Sequence, residues 1–179
     1  MRNLFITLVS ITAMLAGFYL SARHFSEPIS APPTASNGTL LGSFRPDFRL
    51  ASNSGEFVTP ADFSGKTILI NFWATWCAPC RQEMPMLMDL QRQYRSHGLQ
   101  VIGIALDDAQ SVSGFVNTYG ISYPILVGSE DVFATSEAYG NEEGVLPYSV
   151  LIDKQGVVRW HYAGIIQHEQ ISTLLSDLL

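Results

Sequence analysis

Cysteine is scarce in this chain of 179 residues: there are two, Cys77 and Cys80. A structural zinc centre needs four ligands, and two thiols supply half of them. The four histidines, His24, His97, His161 and His168, include no pair at ligand spacing, so zinc has little support. Charge is also sparse, at 15% of residues, and none falls between Arg2 and Arg23. Basic residues are outnumbered 10 to 16, for a net charge of −6, which argues against binding to nucleic acid. All of that acidic excess lies beyond residue 40, where it keeps a domain soluble rather than selecting a basic partner. No internal repeat is apparent, and the length suits one domain with a full core rather than two.

The uncharged N-terminal run has its own meaning. Leu4 to Leu20 is almost wholly apolar. A cleavable signal has an apolar core of about 7 to 15 residues and small residues before the cut, whereas a spanning helix takes roughly 17 to 25. The window is long enough to span, and Leu20-Ser21-Ala22 places Leu where a small residue would be needed. Residues 1–26 therefore read as an uncleaved signal-anchor, and with no cysteine near the end of the run, lipid modification is excluded. Arg2 against Arg23 gives a weak positive-inside orientation with the rest of the chain outside. Residues 27–40, with Pro28, Pro32 and Pro33 among Ser, Ala, Thr, Asn and Gly, read as a linker holding a domain of residues 41–179 off the membrane.

Within that domain, period and turn signals set an order of elements. Phe48–Leu50 and Phe57–Val58 read as short strands about Asn53-Ser54-Gly55. Thr67–Trp73 and Leu99–Leu106 are buried-strand runs, and Ala78–His97 is a helix stopped by Gly98. Gln110–Tyr119 is helical, Tyr123–Val127 a strand, and Asp131–Tyr139 a helix. Tyr148–Asp153 and Val157–Tyr162 form an antiparallel hairpin, and a helix over Gln167–Leu178 closes the chain. After the N-terminal hairpin the order is βαβαβαββα, which predicts an α/β sandwich with helices on both faces of one mixed sheet.

The two cysteines fall in Trp76-Cys77-Ala78-Pro79-Cys80, at a strand-to-helix turn. Unpaired N–H groups and the helix dipole at Cys77 favour a thiolate, so its pKa should fall below the free value of about 8.5. Cys80, one turn further in, should be more buried and act second. A purely structural bridge is a poor alternative, because so small a loop constrains the unfolded chain little. Glu83 can be read as a dipole-stabilising acid or as a group sharing a face with Cys80 and handling its proton. Pro85 should kink the helix, and Asp107 and Asp108 should cap the next one.

The run from Phe72 to Pro85, with Glu83 three residues after Cys80 and Pro85 two later, resembles the active-site segment of thioredoxin-fold proteins. It is most similar to the membrane-anchored, extracytoplasmic TlpA/ResA-like disulfide reductases. The resemblance implies a thioredoxin-like α/β fold with an N-terminal β-hairpin extension. It implies catalysis by a redox-active Cys77–Cys80 disulfide, with Glu83 as a catalytic proton carrier, and no cofactor or metal. It implies that Pro147 is a cis-proline facing the cysteines, that the backbone of Leu146 is free to bond an extended substrate, and that Trp76 is a platform beside the sulfurs. The implied partners are a disulfide-bearing exported protein, such as an apocytochrome c, and a membrane electron donor. The implied location is the cytoplasmic membrane, with the domain on the periplasmic side. Asn71 departs from cytoplasmic thioredoxins, which have an ionisable aspartate there. Two other classes have weaker support. A peroxiredoxin-type peroxidase needs Thr where Ala74 stands, and a Sco-like copper-delivery protein needs a wider cysteine spacing plus a histidine such as His161 or His168.

Overall fold

The computed structural model describes residues 40–179, so the anchor and nearly all of the linker expected from the sequence lie outside the described residues. The strands are β1 (Leu50–Ser52), β2 (Phe57–Val58), β3 (Thr67–Trp73), β4 (Leu99–Leu106), β5 (Ile125–Gly128), β6 (Tyr148–Ile152) and β7 (Val158–Ala163). The helices are α1 (Ala78–Tyr94), α2 (Ala109–Tyr119), α3 (Glu130–Ala138) and α4 (His168–Leu178). The strands form one mixed sheet in the order β2-β1-β5-β4-β3-β6-β7. β3 runs parallel to β4 from Thr67 beside Leu99 to Trp73 beside Ala105, and antiparallel to β6 from Ile68 beside Ile152 to Phe72 beside Tyr148.

Every residue of β3 is buried, as its uninterrupted Thr-Ile-Leu-Ile-Asn-Phe-Trp sequence requires of a strand covered on both faces. Its side chains alternate between two cores. Leu69 and Trp73 meet Leu87 and Leu90 of α1, Val112 of α2, and Ile171 and Leu175 of α4. Ile68, Ile70 and Phe72 meet Val132 of α3 and Tyr139. Each fully buried leucine of α1 contributes about 1.5–3 kcal/mol of transfer free energy. Helices thus cover both faces, three on one and one on the other.

The boundaries differ from the sequence reading where backbone bonding outweighs hydrophobicity. β1 lies at Leu50–Ser52 rather than Phe48–Leu50, because Leu50 pairs with Val58 while Ala51 and Ser52 pair with Val127 and Leu126 of β5. The hairpin is therefore part of the main sheet. β5 begins at Ile125, past Pro124, which has no N–H to give a ladder. α1 ends at Tyr94, and a 3-10 turn over Arg95–His97 carries the chain to Gly98, whose φ of 99° is left-handed. The segment before β1 protects a sheet edge, since Gly42 and Ser43 exchange backbone bonds with Val158 and so cover the first part of edge strand β7. No helix of the described residues is long and apolar enough to cross a membrane.

Candidate active site

β3 delivers the chain into a turn that is held from the neighbouring strand. Asp107, just past β4, accepts hydrogen bonds through Oδ2 from both the N–H and the hydroxyl of Thr75. It does not cap α2; Asp108 alone does that, accepting from Ser111 N–H at 2.9 Å. Reading both aspartates as caps is thus corrected for Asp107, because the β3 and β4 ends lie side by side and the nearer unmet donors belong to Thr75. Sequence spacing cannot reveal a bond between positions 32 residues apart.

Cys77 is the N-cap of α1, and its sulfur accepts from the N–H of Cys80 at 3.3 Å. The two cysteines are joined as a disulfide with their Cα atoms 5.3 Å apart. Cys77 is 5% exposed and Cys80 fully buried. Pro79 occupies the first turn, where its missing N–H leaves no bond unmade, and that turn carries no acidic side chain to oppose a thiolate. Trp76, by contrast, is 67% exposed and stands clear of the core.

One turn beyond Cys80, Glu83 is buried with 2% exposure. Its Oε1 accepts from Asn71 Nδ2 at 2.6 Å and its Oε2 from the backbone N–H of Ile166 at 3.0 Å. Burial raises its pKa to about 7, against the opposing pull of the Ile166 and Asn71 hydrogen bonds. Asn71 reaches Glu83 because it shares the α1 face of β3 with Leu69 and Trp73. The same amide nitrogen donates to Ser149 Oγ at 3.0 Å on β6. Asn71 therefore orients the carboxyl that stands nearest to it. Ser149 and Ile166 had no signal in the sequence, since one acts through a cross-strand neighbour and the other through a main-chain N–H.

The Leu146–Pro147 peptide bond is cis. Because Phe72 pairs with Tyr148, the start of β6 lies beside the end of β3, which brings Pro147 to the edge of the cysteine turn. Leu146 packs against the core cluster that contains Cys77 and Cys80. Gly164 N–H binds the Pro147 carbonyl at 2.8 Å, while among the described residues the Leu146 backbone has no main-chain partner. The preceding loop is fixed by Asn141, a buried side chain that both accepts from Val145 N–H and donates to Val145 C=O, each at 2.9 Å. Cys77, Cys80, Glu83, Leu146 and Pro147 thus converge on one end of the sheet, with Trp76 exposed at the same turn. His161 is bonded through Nδ1 to Tyr148 Oη, and His168 through Nδ1 to Ser172 Oγ.

The chain is similar to known proteins along most of its length. Residues 41–161 match the AhpC/TSA family. The thiol-disulfide oxidoreductase ResA of Geobacillus thermodenitrificans is 31% identical over 163 residues, 90% of this chain and 87% of that protein. The thioredoxin-like protein YneN of Bacillus subtilis is 33% identical over 142 residues, 77% and 80% of the two chains. A thiol:disulfide interchange protein of the thioredoxin family from Chlorobium tepidum superposes with a TM-score of 0.68 at 26% identity, covering 79% of this chain and 99% of that one. This chain therefore belongs to the AhpC/TSA family and, within it, to the TlpA/ResA-like thiol-disulfide oxidoreductases of thioredoxin fold.

Proposed function

We propose that the protein reduces disulfides in exported proteins, apocytochrome c haem-site cysteines among them, while anchored by residues 1–26 to the outer face of the cytoplasmic membrane and spaced from it by residues 27–40. In the reduced enzyme, Cys77 thiolate attacks one sulfur of the target disulfide and expels the other as a thiolate, leaving a mixed disulfide. The proton of Cys80 passes to the Glu83 carboxylate, and the Cys80 thiolate attacks the Cys77 sulfur. That step releases the second target thiolate and forms the Cys77–Cys80 disulfide; the two target thiolates take up protons from solvent. A membrane dithiol donor returns two electrons and two protons. Leu146 and Pro147 receive the extended target segment, with Trp76 as its platform.

The observation that carries this reading is a buried cysteine followed, on its own helix face, by a carboxyl with a pKa of about 7. A group that titrates there can accept a proton and give it up again at the working pH. A peroxidase gains no support from the turn: buried Ala74 stands where a threonine would be needed, and Thr75 gives its hydroxyl to Asp107.

Trapping tests the proposal. Cys80→Ala in the full chain, expressed in the native host, is expected to accumulate mixed disulfides on Cys77 that a thiol reductant releases, with exported cysteine-containing proteins among them. A variant as active as wild type, with no disulfide-linked partner, would sink the mechanism.

A further inference from the structure

Three polar atoms on the α1 face of the sheet have no hydrogen-bond partner among the described residues: Asn71 Oδ1, Trp73 Nε1 and Tyr123 Oη. Their residues are 0%, 0% and 4% exposed. Asn71 and Trp73 are alternate residues of β3 and share a face, and Gly103 of β4 lies directly beside Asn71. A Cβ on Gly103 would come within 3.0 Å of Trp73 Nε1 and 3.1 Å of Tyr123 Cε2. The indole nitrogen and the phenol ring therefore converge over that glycine, next to the amide that holds Glu83. Tyr123 also belongs to the core cluster that contains both cysteines. Burial, and after it the charge of Glu83, push the Tyr123 hydroxyl above its usual range. Folded proteins meet the large majority of such buried groups with a partner or an ordered water.

We propose that Asn71, Trp73 and Tyr123 hold an ordered water against the Glu83 carboxyl group, and that Tyr123 is thereby a positioning residue for the proton Glu83 exchanges with Cys80. The inference rests on the reading of Glu83 as that proton's acceptor. The donors and acceptors balance: the water accepts from Trp73 N–H and Tyr123 O–H, and donates to Asn71 Oδ1 and to a Glu83 oxygen. It thereby stabilises the ionised carboxylate that must take the proton. Cys80 lies one turn back on the same helix and Tyr123, ahead of β5, feels the charge of Glu83, while β3 offers the neutral Asn71 and the loop before α4 the Ile166 N–H.

Tyr123→Phe keeps the ring and removes only the hydroxyl. In the full-length protein loaded with glutathione as a mixed disulfide on Cys77, resolution by Cys80 is followed from pH 5 to 9, and the Glu83 carboxyl is titrated in parallel by carbon-13 NMR of the reduced form. The expected result is a Glu83 titration raised by about one pH unit, with resolution slowed about tenfold on the acid limb. Glu83→Gln is expected to abolish that limb, and Tyr123→Phe to add nothing in its background. An unmoved Glu83 titration in Tyr123→Phe, or equal slowing in both backgrounds, overturns the inference alone. A wild-type pH profile in Glu83→Gln overturns the reading of Glu83 beneath it.

Discussion

Glu83 combines two hydrogen bonds to its carboxylate with nearly complete removal from water, and burial wins: the pKa rises from 4.5 to about 7. The sign of the consequence follows from linkage. Between those values the folded protein keeps a proton that the unfolded chain releases, so the contribution of Glu83 to folding stability is greatest below pH 4.5, falls as pH rises toward 7, and is level above. At about 1.36 kcal/mol per pH unit, the fall is on the order of 3 kcal/mol. Asp62 and Asp108 act in the opposite sense and at lower pH: hydrogen bonds from Thr59 and Ser111 hold them below the usual range, so their contribution is lost only as pH falls through their folded pKa values. Urea unfolding of the oxidised protein from pH 4 to 9 should therefore show the decline in wild type and its absence in Glu83→Gln. Parallel curves for the two proteins would refute the assignment of the slope to this group. Glutamine does not restore the site at neutral pH, because Asn71 and Ile166 both present N–H groups and the amide offers one of them another donor. Much of this residue's position was legible in the sequence, since three residues beyond Cys80 on a helix is the same face. Its second partner was not, because Ile166 N–H lies 83 residues away and carries no side-chain signature.

At the scale of the element, α1 acts on the cysteine turn through its N-terminus. Cys77 is the cap, its sulfur accepts the Cys80 N–H, and no acidic side chain lies in the first turn. Reduction leaves that sulfur facing the positive end of the helix dipole, where a thiolate gains and a neutral thiol does not. Arg81, which also reaches Thr75 C=O at 3.5 Å, adds a cation to the same turn. Arg81→Glu reverses that local charge on an exposed side chain without disturbing the core. The Cys77 pKa, read from the pH dependence of alkylation of the reduced protein, should rise by roughly 0.2–0.7 unit, the pKa equivalent of a dipole-adjacent charge worth about 0.3–1 kcal/mol. Raising the salt concentration should shrink the difference, since the charge is exposed. An unchanged or lowered pKa would mean that the Arg81 charge does not act on the thiol. The start of α1 was readable because the cysteines, Pro79 and the apolar strand before them are local signals. The pin that Asp107 places on Thr75 was hidden, because adjacent strand ends are brought together only by the parallel pairing of β3 with β4.

For the whole molecule, the order of helices and strands followed from period and punctuation, but the order of strands across the sheet did not. That β1 joins β5, and so ties the N-terminal hairpin into the main sheet, depends on pairings such as Ala51 with Val127, far apart in the chain. Those pairings decide where the folding unit begins. Both cores, the seven strands and every residue of the candidate site lie within residues 40–179, and the segment ahead of β1 is needed because Gly42 and Ser43 bond to Val158 and Ser43 also bonds to Leu40 C=O. A version of the protein beginning at Asn37 retains all of these contacts. Purified without detergent, it should unfold cooperatively, with the same thermal midpoint as the detergent-solubilised full chain to within a few degrees. It should also reduce insulin disulfides at an unchanged rate when supplied with dithiothreitol. Restarting the chain at Phe48 instead removes the segment that covers the edge of β7, exposing unpaired backbone beside Val158, and should lower the midpoint and promote association. If the Asn37 version fails to fold, the stability of this domain depends on residues ahead of it, and the assignment of residues 27–40 to a spacer fails with it.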